Sequence, residues 1–595
     1  MVNLKGEPLV DFLDSSPSSP ALSPPAPTYN PDSKANNNDD LHLITSQPCG
    51  PDRDPASLPP KILLPLPSLI LTTLALSVSV FLVAMDVNVI ATAIPHITTE
   101  FRSLNDIGWY GSAFLLTTCA CQVPYGRVYT LFPAKWTFLS AIFLFMAGSL
   151  ICALAPSSGI FILGRGVQGV GTSGILSGGL IIIAQVVPLH LRSILTGIIG
   201  AMEGIAMISA PVIGGALTDH LNWRWCFWVN LPIGGVVVLV VLFCLRMPEG
   251  EEGWKSAREE GETIWQTLRK LDLVGALALL PPVVCTILAL HYAGNGYSWS
   301  SMNVILLFVL ALVLFVIFGW TQHVNADVAM MPWRVVKQRS VMAAFWFILC
   351  ISSALVVITY FLPLWFQTVR GEVATQAGIG ILPMLVGVIL GVLISGALVA
   401  LIGYYTPFML LSSALMPVGV GLLTTINPET SRGALIAYPA IFGLGVGLGF
   451  QQPLIGVQAV VAKADIPIGT SIVVFGQTFG AAIIIAVGES IFSNRLAANV
   501  VTYLGVTDID MRHVLGDGQA GSSLASQLSP EQMPLLIRAV NDSLTQTFYL
   551  SVVMGILSLI GAGFMEWKNV KPPKAEKVAT AEAGGVGAGE MREKF

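Results

Sequence analysis

The sequence predicts an all-α polytopic membrane protein with about fourteen spanning helices. Two observations carry this. Only 11% of the 595 residues are charged and 54% are hydrophobic, with a mean hydropathy of +0.74, whereas soluble domains carry roughly 25% charged residues. The apolar residues also come in repeated uncharged runs of about 20, the length that crosses about 30 Å of hydrocarbon. A buried helix of a soluble protein rarely stays apolar on every face over such a length.

Residues 1–62 are rich in Pro, Ser, Asn and Asp, as in SPSSPALSPPAP and NPDSKANNNDD. Such a segment has too little apolar surface to fold and lacks the charged-then-apolar pattern of a cleaved signal peptide. It reads as a disordered tail. Apolar spans follow, centred near residues 80, 116, 144, 173, 205, 236, 283, 312, 351, 388, 415, 446, 480 and 556. The polar stretch 248–272 reads as an amphipathic connector, 494–543 as a loop between the last two spans, and 568–595 as a second tail.

An even number of spans puts both ends of the chain on one side. With the N-terminus inside, the outside segments hold only Arg102, Arg224, Arg370, Arg432, Arg495, Arg512 and Arg538 of the 30 Lys and Arg. Arg165 lies within a span, and the remainder fall inside, so the positive-inside rule predicts cytosolic termini and connector. The sequon at Asn541 would then face outward. It lies almost against the last span and is not expected to be glycosylated efficiently.

Several chemistries are excluded. No lysine follows a glycine, so the GK[ST] of a phosphate-binding loop cannot exist, and no transport here is powered by ATP hydrolysis on this chain. The run Gly443–Gly449 (GLGVGLG) lies in an apolar span with no strand before it and reads as close helix packing. The 7 histidines are scattered and the 8 cysteines form no CxxC pair, which argues against a metal site or a disulfide framework. No catalytic constellation, cofactor, nucleotide or nucleic-acid partner is expected.

Positive signals sit in the spans and between them. After the second span comes GRVYTLFPAKW, with Gly126, Arg127 and Lys135. Its cations can latch onto acidic groups or helix C-termini, although ordinary interfacial anchoring would use the same residues. The fifth span carries Gly200, Gly204, Pro211, Gly214 and Gly215, small residues for close packing around a proline that weakens the helix. An aromatic belt, NWRWCFWVNLPIG, follows it.

Together these residues resemble the major facilitator superfamily, and within it the fourteen-span drug:proton antiporters of the fungal branch. Asp86–Pro95 is similar to that family's first-helix signature, and Trp109–Ala113 with 126–136 to its second-helix end and loop. Leu163–Gly171 (LGRGVQGVG, with Arg165, Gln168 and Gly169) is similar to the fourth-helix motif, and Pro211–Gly215 to the antiporter motif. The similarity continues through Tyr360–Gln367 and Phe450–Pro453 and covers roughly residues 65–565. Ala210 stands where the family usually has Gly, Asn88 where it has Thr, and Glu203 where apolar residues are common.

The resemblance implies two six-helix bundles, at 63–247 and 324–567, with two inserted helices at 273–323 and substrate held between the bundles. Gly403–Pro407 would repeat, in weaker form, the loop at Gly126–Trp136. An ionisable group in a span costs at least roughly 2.5–3.5 kcal/mol, so Asp86, Arg165, Glu203 and Glu489 need a reason. Glu489 lies near the outer end and can reach solvent. Arg165 is expected to pair with a carboxylate of a neighbouring helix, with Gly164, Gly166, Gly169 and Gly171 leaving room around it. Protonation of that acid would be a switch, or the pair is a static lock.

Asp86, Arg165 and Glu203 are the candidates for proton coupling. Trp365, Phe366, Gln367, Gln451 and Gln452 are candidates for an apolar, aromatic substrate wall, with packing and anchoring the alternative. The expected function is export of an amphiphilic metabolite or drug in exchange for protons, by a monomer in the plasma or vacuolar membrane. An importer of the same fold, for example of iron chelates, and a non-transporting sensor are the rivals.

Overall fold

The computed structural model describes residues 66–103, 106–245, 270–294, 299–325, 328–504 and 532–571. Fourteen long helices run through them: α1 Leu66–Phe101, α2 Ile107–Leu131, α3 Ala134–Leu154, α4 Ser158–Val186, α5 Leu189–His220, α6 Trp225–Cys244, α7 Leu273–Gly294 and α8 Met302–Val324, then α9 Arg339–Thr368, α10 Gln376–Ile402, α11 Thr406–Leu423, α12 Arg432–Val460, α13 Ile466–Leu504 and α14 Met533–Phe564. Helix is what hydrocarbon allows, because each span must satisfy its own backbone. Polar side chains inside the spans turn back to the same end: Thr73 and Ser79 on α1 donate to the carbonyls of Leu69 (2.8 Å) and Ala75 (2.7 Å), and Asn88 does so to Ala84 (2.7 Å).

Twelve of these helices are long and apolar enough to cross a membrane by length and composition. The other two, α2 and α7, depart for different reasons. Helix α2 carries Thr117, Thr118, Gln122 and Arg127 and packs on α4, α13 and α7 rather than facing lipid all round. In α7 the apolar stretch is only Val274–Leu290 and contains Pro281 and Pro282.

One large core gathers residues between Ala75 and Leu245, and a second gathers residues between Val335 and Val570 together with Ala184. The hairpin α7–α8 joins both through a third cluster, in which Leu279, Val283 and Phe318 meet Cys119 and Val123 of α2 and Phe475 of α13. Helix α8 otherwise presents apolar side chains outward, from Ile305 to Val324. In α12, Gly443 and Gly447 take the backbone of α10, where an added Cβ would come within 1.9 Å of Met384 O and 2.2 Å of Val388 O. Gly445 and Gly449, on the other face, take α11 instead. That run is helix packing on two sides.

Three expectations change. The stretch 126–136 is hardly a loop: α2 continues to Leu131, and α3 begins at Ala134 after Phe132 and Pro133. The segment 494–543 is helical at both ends, since α13 runs to Leu504 and α14 starts at Met533. There Leu496 and Val500 are buried in the same core as Leu536, Ala539 and Val540, so an apolar face extends both helices beyond the bilayer-length run. Asn541 is therefore a buried helical residue that accepts a hydrogen bond from Trp365. The tail 1–62, most of the connector 248–272, residues 505–531 and the end of the tail 568–595 lie outside the described residues. Gly403 ends α10 at φ +94°, a conformation in which a Cβ would be strained, and its carbonyl accepts from Val570 N at 2.9 Å.

Candidate functional site

Inside the first bundle, five helices converge on one carboxylate. Asp86 of α1 and Arg165 of α4 form an ion pair, with 0% and 1% of their side chains exposed. The guanidinium also donates to Gln168 Oε1 at 2.9 Å and, through Nε, to the carbonyl of Tyr110 at 3.1 Å. It lies 4.4 Å from the ring centroid of Phe114 on α2. The other carboxylate oxygen of Asp86 accepts from Gln168 Nε2 (2.9 Å) and from Asn230 Nδ2 of α6 (3.0 Å). Both amides also donate to Ser149 Oγ of α3, at 2.7 and 3.1 Å. Each charge is thus hydrogen-bonded as well as paired, the condition under which buried charge is tolerated.

Gly164, Gly169 and Gly171 do not open space for Arg165, and only beside Gly166 is there room for a Cβ. A Cβ on Gly164 or Gly171 would collide with Cys152 or Phe145 of α3, and one on Gly169 with Thr117 and the Phe114 carbonyl of α2. They bring α2 and α3 onto α4, and that closeness is what seals the pair.

Glu203 stands elsewhere. It is half-buried on α5 and faces the second bundle, where Gln477 of α13 donates to its carboxylate at 3.5 Å. The seam between the bundles runs through this point. Toward the end at which α5 begins, Gly197, Gly200 and Gly204 face Val392, Gln451 and Ile389, and Gly396 of α10 lies under the Ser193 carbonyl. On the other flank a Cβ on Gly126 of α2 would come within 2.8 Å of Ser471 and 3.1 Å of the Pro467 carbonyl on α13. Ser471 donates to Ser177 at 3.2 Å, and Gln122 donates to Ser177 as well. Toward the opposite end of α5, Pro211 and Val212 are exposed and Gly215 meets open space. The bundles are therefore closed together at the end where α1 starts and α14 stops.

Arg127 lies at that end, within electrostatic reach of Asp272, Asp465 and Arg334, and Arg334 bonds Asp465 at 2.7 Å. Lys135 turns away from the seam and caps α6, donating to the carbonyls of Leu242 (2.7 Å) and Leu245 (2.9 Å). Glu489 accepts from Tyr360 at 2.9 Å, both in the second bundle.

The five wall candidates do not form one surface. Trp365 is fully buried and donates to Asn541 Oδ1 at 2.8 Å, Phe366 packs edge-on against it, and Gln367 is exposed. Gln452 donates to Ser395 at 3.0 Å within the second bundle. Gln451 stands at the seam against Gly200. Sequence reasoning did not find Ser149, Asn230 and Gln477, polar residues in otherwise apolar helices.

Residues 76–487 match the family profile described as Major Facilitator Superfamily. The "Efflux pump roqT" of Penicillium rubens is 43% identical over 84% of this chain and 91% of its own length. The "MFS-type efflux pump MFS1" of Arthroderma benhamiae is 44% identical over 85% and 92%. The "Aspyridones efflux protein" of Neocamarosporium betae is 41% identical over 86% and 90%. Among solved structures, the human organic anion transporter MFSD10 (TETRAN) overlays with a TM-score of 0.51 at 12% identity, over 84% of this chain and 100% of that one, which shows the fold. The chain belongs to the major facilitator superfamily. It is a multi-pass membrane transporter, not an enzyme.

Proposed function

We propose that this member of the superfamily exports an apolar or amphiphilic small molecule from the cytosol in exchange for external protons, with Glu203 as the coupling acid. The observation that carries the reading is the position of Glu203 on the seam, hydrogen-bonded by an amide of the other bundle. An acid in that place changes its surroundings whenever the bundles rock, as alternating access requires. Asp86, sealed inside one bundle, moves with it.

The three relatives are named as efflux proteins, one of them for aspyridones, and this supports outward transport of a fungal secondary metabolite or a xenobiotic. Basic residues gathered on the side of the termini support a cytosolic placement of both ends in the plasma membrane. With that orientation the closed end is cytosolic. Arg127 opposite Asp465 and Asp272, Gly126 on Ser471, and the Ser177–Ser471 bond then form the inner closure.

The cycle follows from charge. A carboxylate binds the Gln477 amide more strongly than a carboxylic acid does. Protonation of Glu203 from outside weakens that bond and lets the inner closure part. Release of the proton to the cytosol and capture of substrate favour the return. Gln451, at the seam beside Gly200, borders the substrate path. Arg165 and Asp86 hold the first bundle rigid so that rocking is communicated as one body.

The test is uptake of a fluorescent amphiphile into inside-out vesicles with an acidic interior. Gradient-dependent uptake by the wild type, abolished in Glu203→Gln, supports antiport through this residue. Uptake indifferent to the gradient excludes it.

A further inference from the structure

We propose that the groove between the start of α9 and the end of α14 is a binding site for an anionic glycerophospholipid of the surrounding leaflet. The groove, about 470 Å³ in volume, is bounded by the single turn Trp333–Val336, by α9 and by the last turns of α14. Its character changes along its length. At the membrane boundary it carries Trp333, Lys337 and Arg339, all exposed. Deeper, its walls are Met342, Trp346 and Phe564, apolar side chains 45%, 38% and 60% exposed.

The depth of the groove comes from Gly561. A Cβ there would come within 2.8 Å of the Ala343 carbonyl and of Phe347 Cβ, so the glycine lets α14 sink against α9 and leaves a channel beside the contact. Trp346 is held at the channel edge by a hydrogen bond to the Leu557 carbonyl at 2.9 Å. The indole N–H is thereby satisfied by a backbone carbonyl, which leaves its ring as an apolar wall of the channel.

The charges select the occupant. Arg334, three residues before Lys337 in the same short connection, is committed to Asp465. Lys337 and Arg339 form no ion pair with a described residue; Lys337 lies 5.6 Å from the ring centroid of Trp333. Two cations above an apolar channel, at the level of the headgroups, complement a molecule with a phosphate-bearing anionic head and an acyl chain. A lone phosphate would leave the channel empty, and a neutral lipid would leave the cations unanswered. Each such cation near the surface adds roughly fivefold to the affinity for an anionic lipid.

The proposal is independent of the direction of transport and of the proton coupling. It is tested on the full-length protein in nanodiscs of phosphatidylcholine doped with phosphatidylinositol or phosphatidylserine, by native mass spectrometry of the lipid retained after release. Wild type is expected to retain the anionic lipid in preference. The double variant Lys337→Gln, Arg339→Gln should lose that preference by on the order of tenfold or more, while Lys568→Gln, on the same end but outside the groove, keeps it. A photoreactive phenylalanine analogue placed at 564 should crosslink to phospholipid. Equal retention of neutral and anionic lipids by the wild type, retention unchanged in the double variant, or crosslinking to the chain's own residues 572–595 or to a second copy would each overturn the proposal.

Discussion

Asp86 and Glu203 are both carboxylates on apolar helices of the first bundle, and their surroundings differ in kind. Asp86 accepts from Arg165, Gln168 and Asn230, with Ser149 bracing both amides, and every partner belongs to its own bundle. Glu203 has, among the described residues, one long hydrogen bond, and it comes from the other bundle. The contrast separates architecture from coupling. A charge satisfied from all sides within a rigid body reports nothing about the position of its neighbour, whereas one held loosely across a moving seam does.

The contrast can be broken most violently at Arg165. Arg165→Met leaves Asp86 buried and uncompensated, and removal of one partner of such a pair costs about 3–5 kcal/mol. Thermal unfolding in detergent should show a large fall in Tm and in folded yield. Adding Asp86→Asn to that variant should recover much of the loss. Glu203→Gln, which removes a single 3.5 Å contact to a charged acceptor, should stay within about 1 kcal/mol of wild type.

A second way to sharpen it is to disturb the seam without touching either acid. Gly126→Ala places a carbon 2.8 Å from Ser471, and overpacking of this type costs about 1–3 kcal/mol in the state that contains the contact. In a Ser177→Cys, Ser471→Cys protein, oxidation should form a crosslink that arrests transport, and Gly126→Ala should lower its yield. An unchanged yield would mean that the closure at this end does not depend on the glycine.

Smaller effects on stability are expected from two other substitutions. Asn541→Leu removes the acceptor of the Trp365 indole and should cost about 1–2 kcal/mol with no change in substrate preference. A changed preference would return Trp365 to the substrate wall. Arg334→Gln breaks a pair whose arginine is 69% exposed and should cost only about 0.2–1 kcal/mol, less at high salt, by the same unfolding assay.

Helix number and most spans were legible in the sequence because hydrocarbon imposes a single length and a single pattern. Even α2, which packs on protein over several faces, and α7, whose apolar stretch is short and carries two prolines, were among those spans; what the pattern missed were the ends of α13 and α14, which continue as helix beyond the apolar runs. Asp86, Arg165 and Glu203 were visible as charges in apolar runs. Their partners were not, since Asn230 lies 144 residues from Asp86 and Gln477 lies 274 from Glu203 in the chain. No local pattern encodes which faces of distant helices meet. The surroundings of Trp365 have the same origin: an indole on α9 reads alike whether it faces a substrate or, as here, Asn541.

The most direct test of the central claim compares two modes of transport in the same inside-out vesicles, substrate-for-substrate exchange and uptake driven by an acidic interior. With Glu203 as the coupling acid, Glu203→Gln retains exchange and loses the driven component, while Asp86→Asn loses both in proportion to the folded protein that remains. If Glu203→Gln keeps gradient-driven uptake, or if Asp86→Asn alone separates the two modes, coupling lies in the sealed pair of the first bundle and the assignment of Glu203 is wrong.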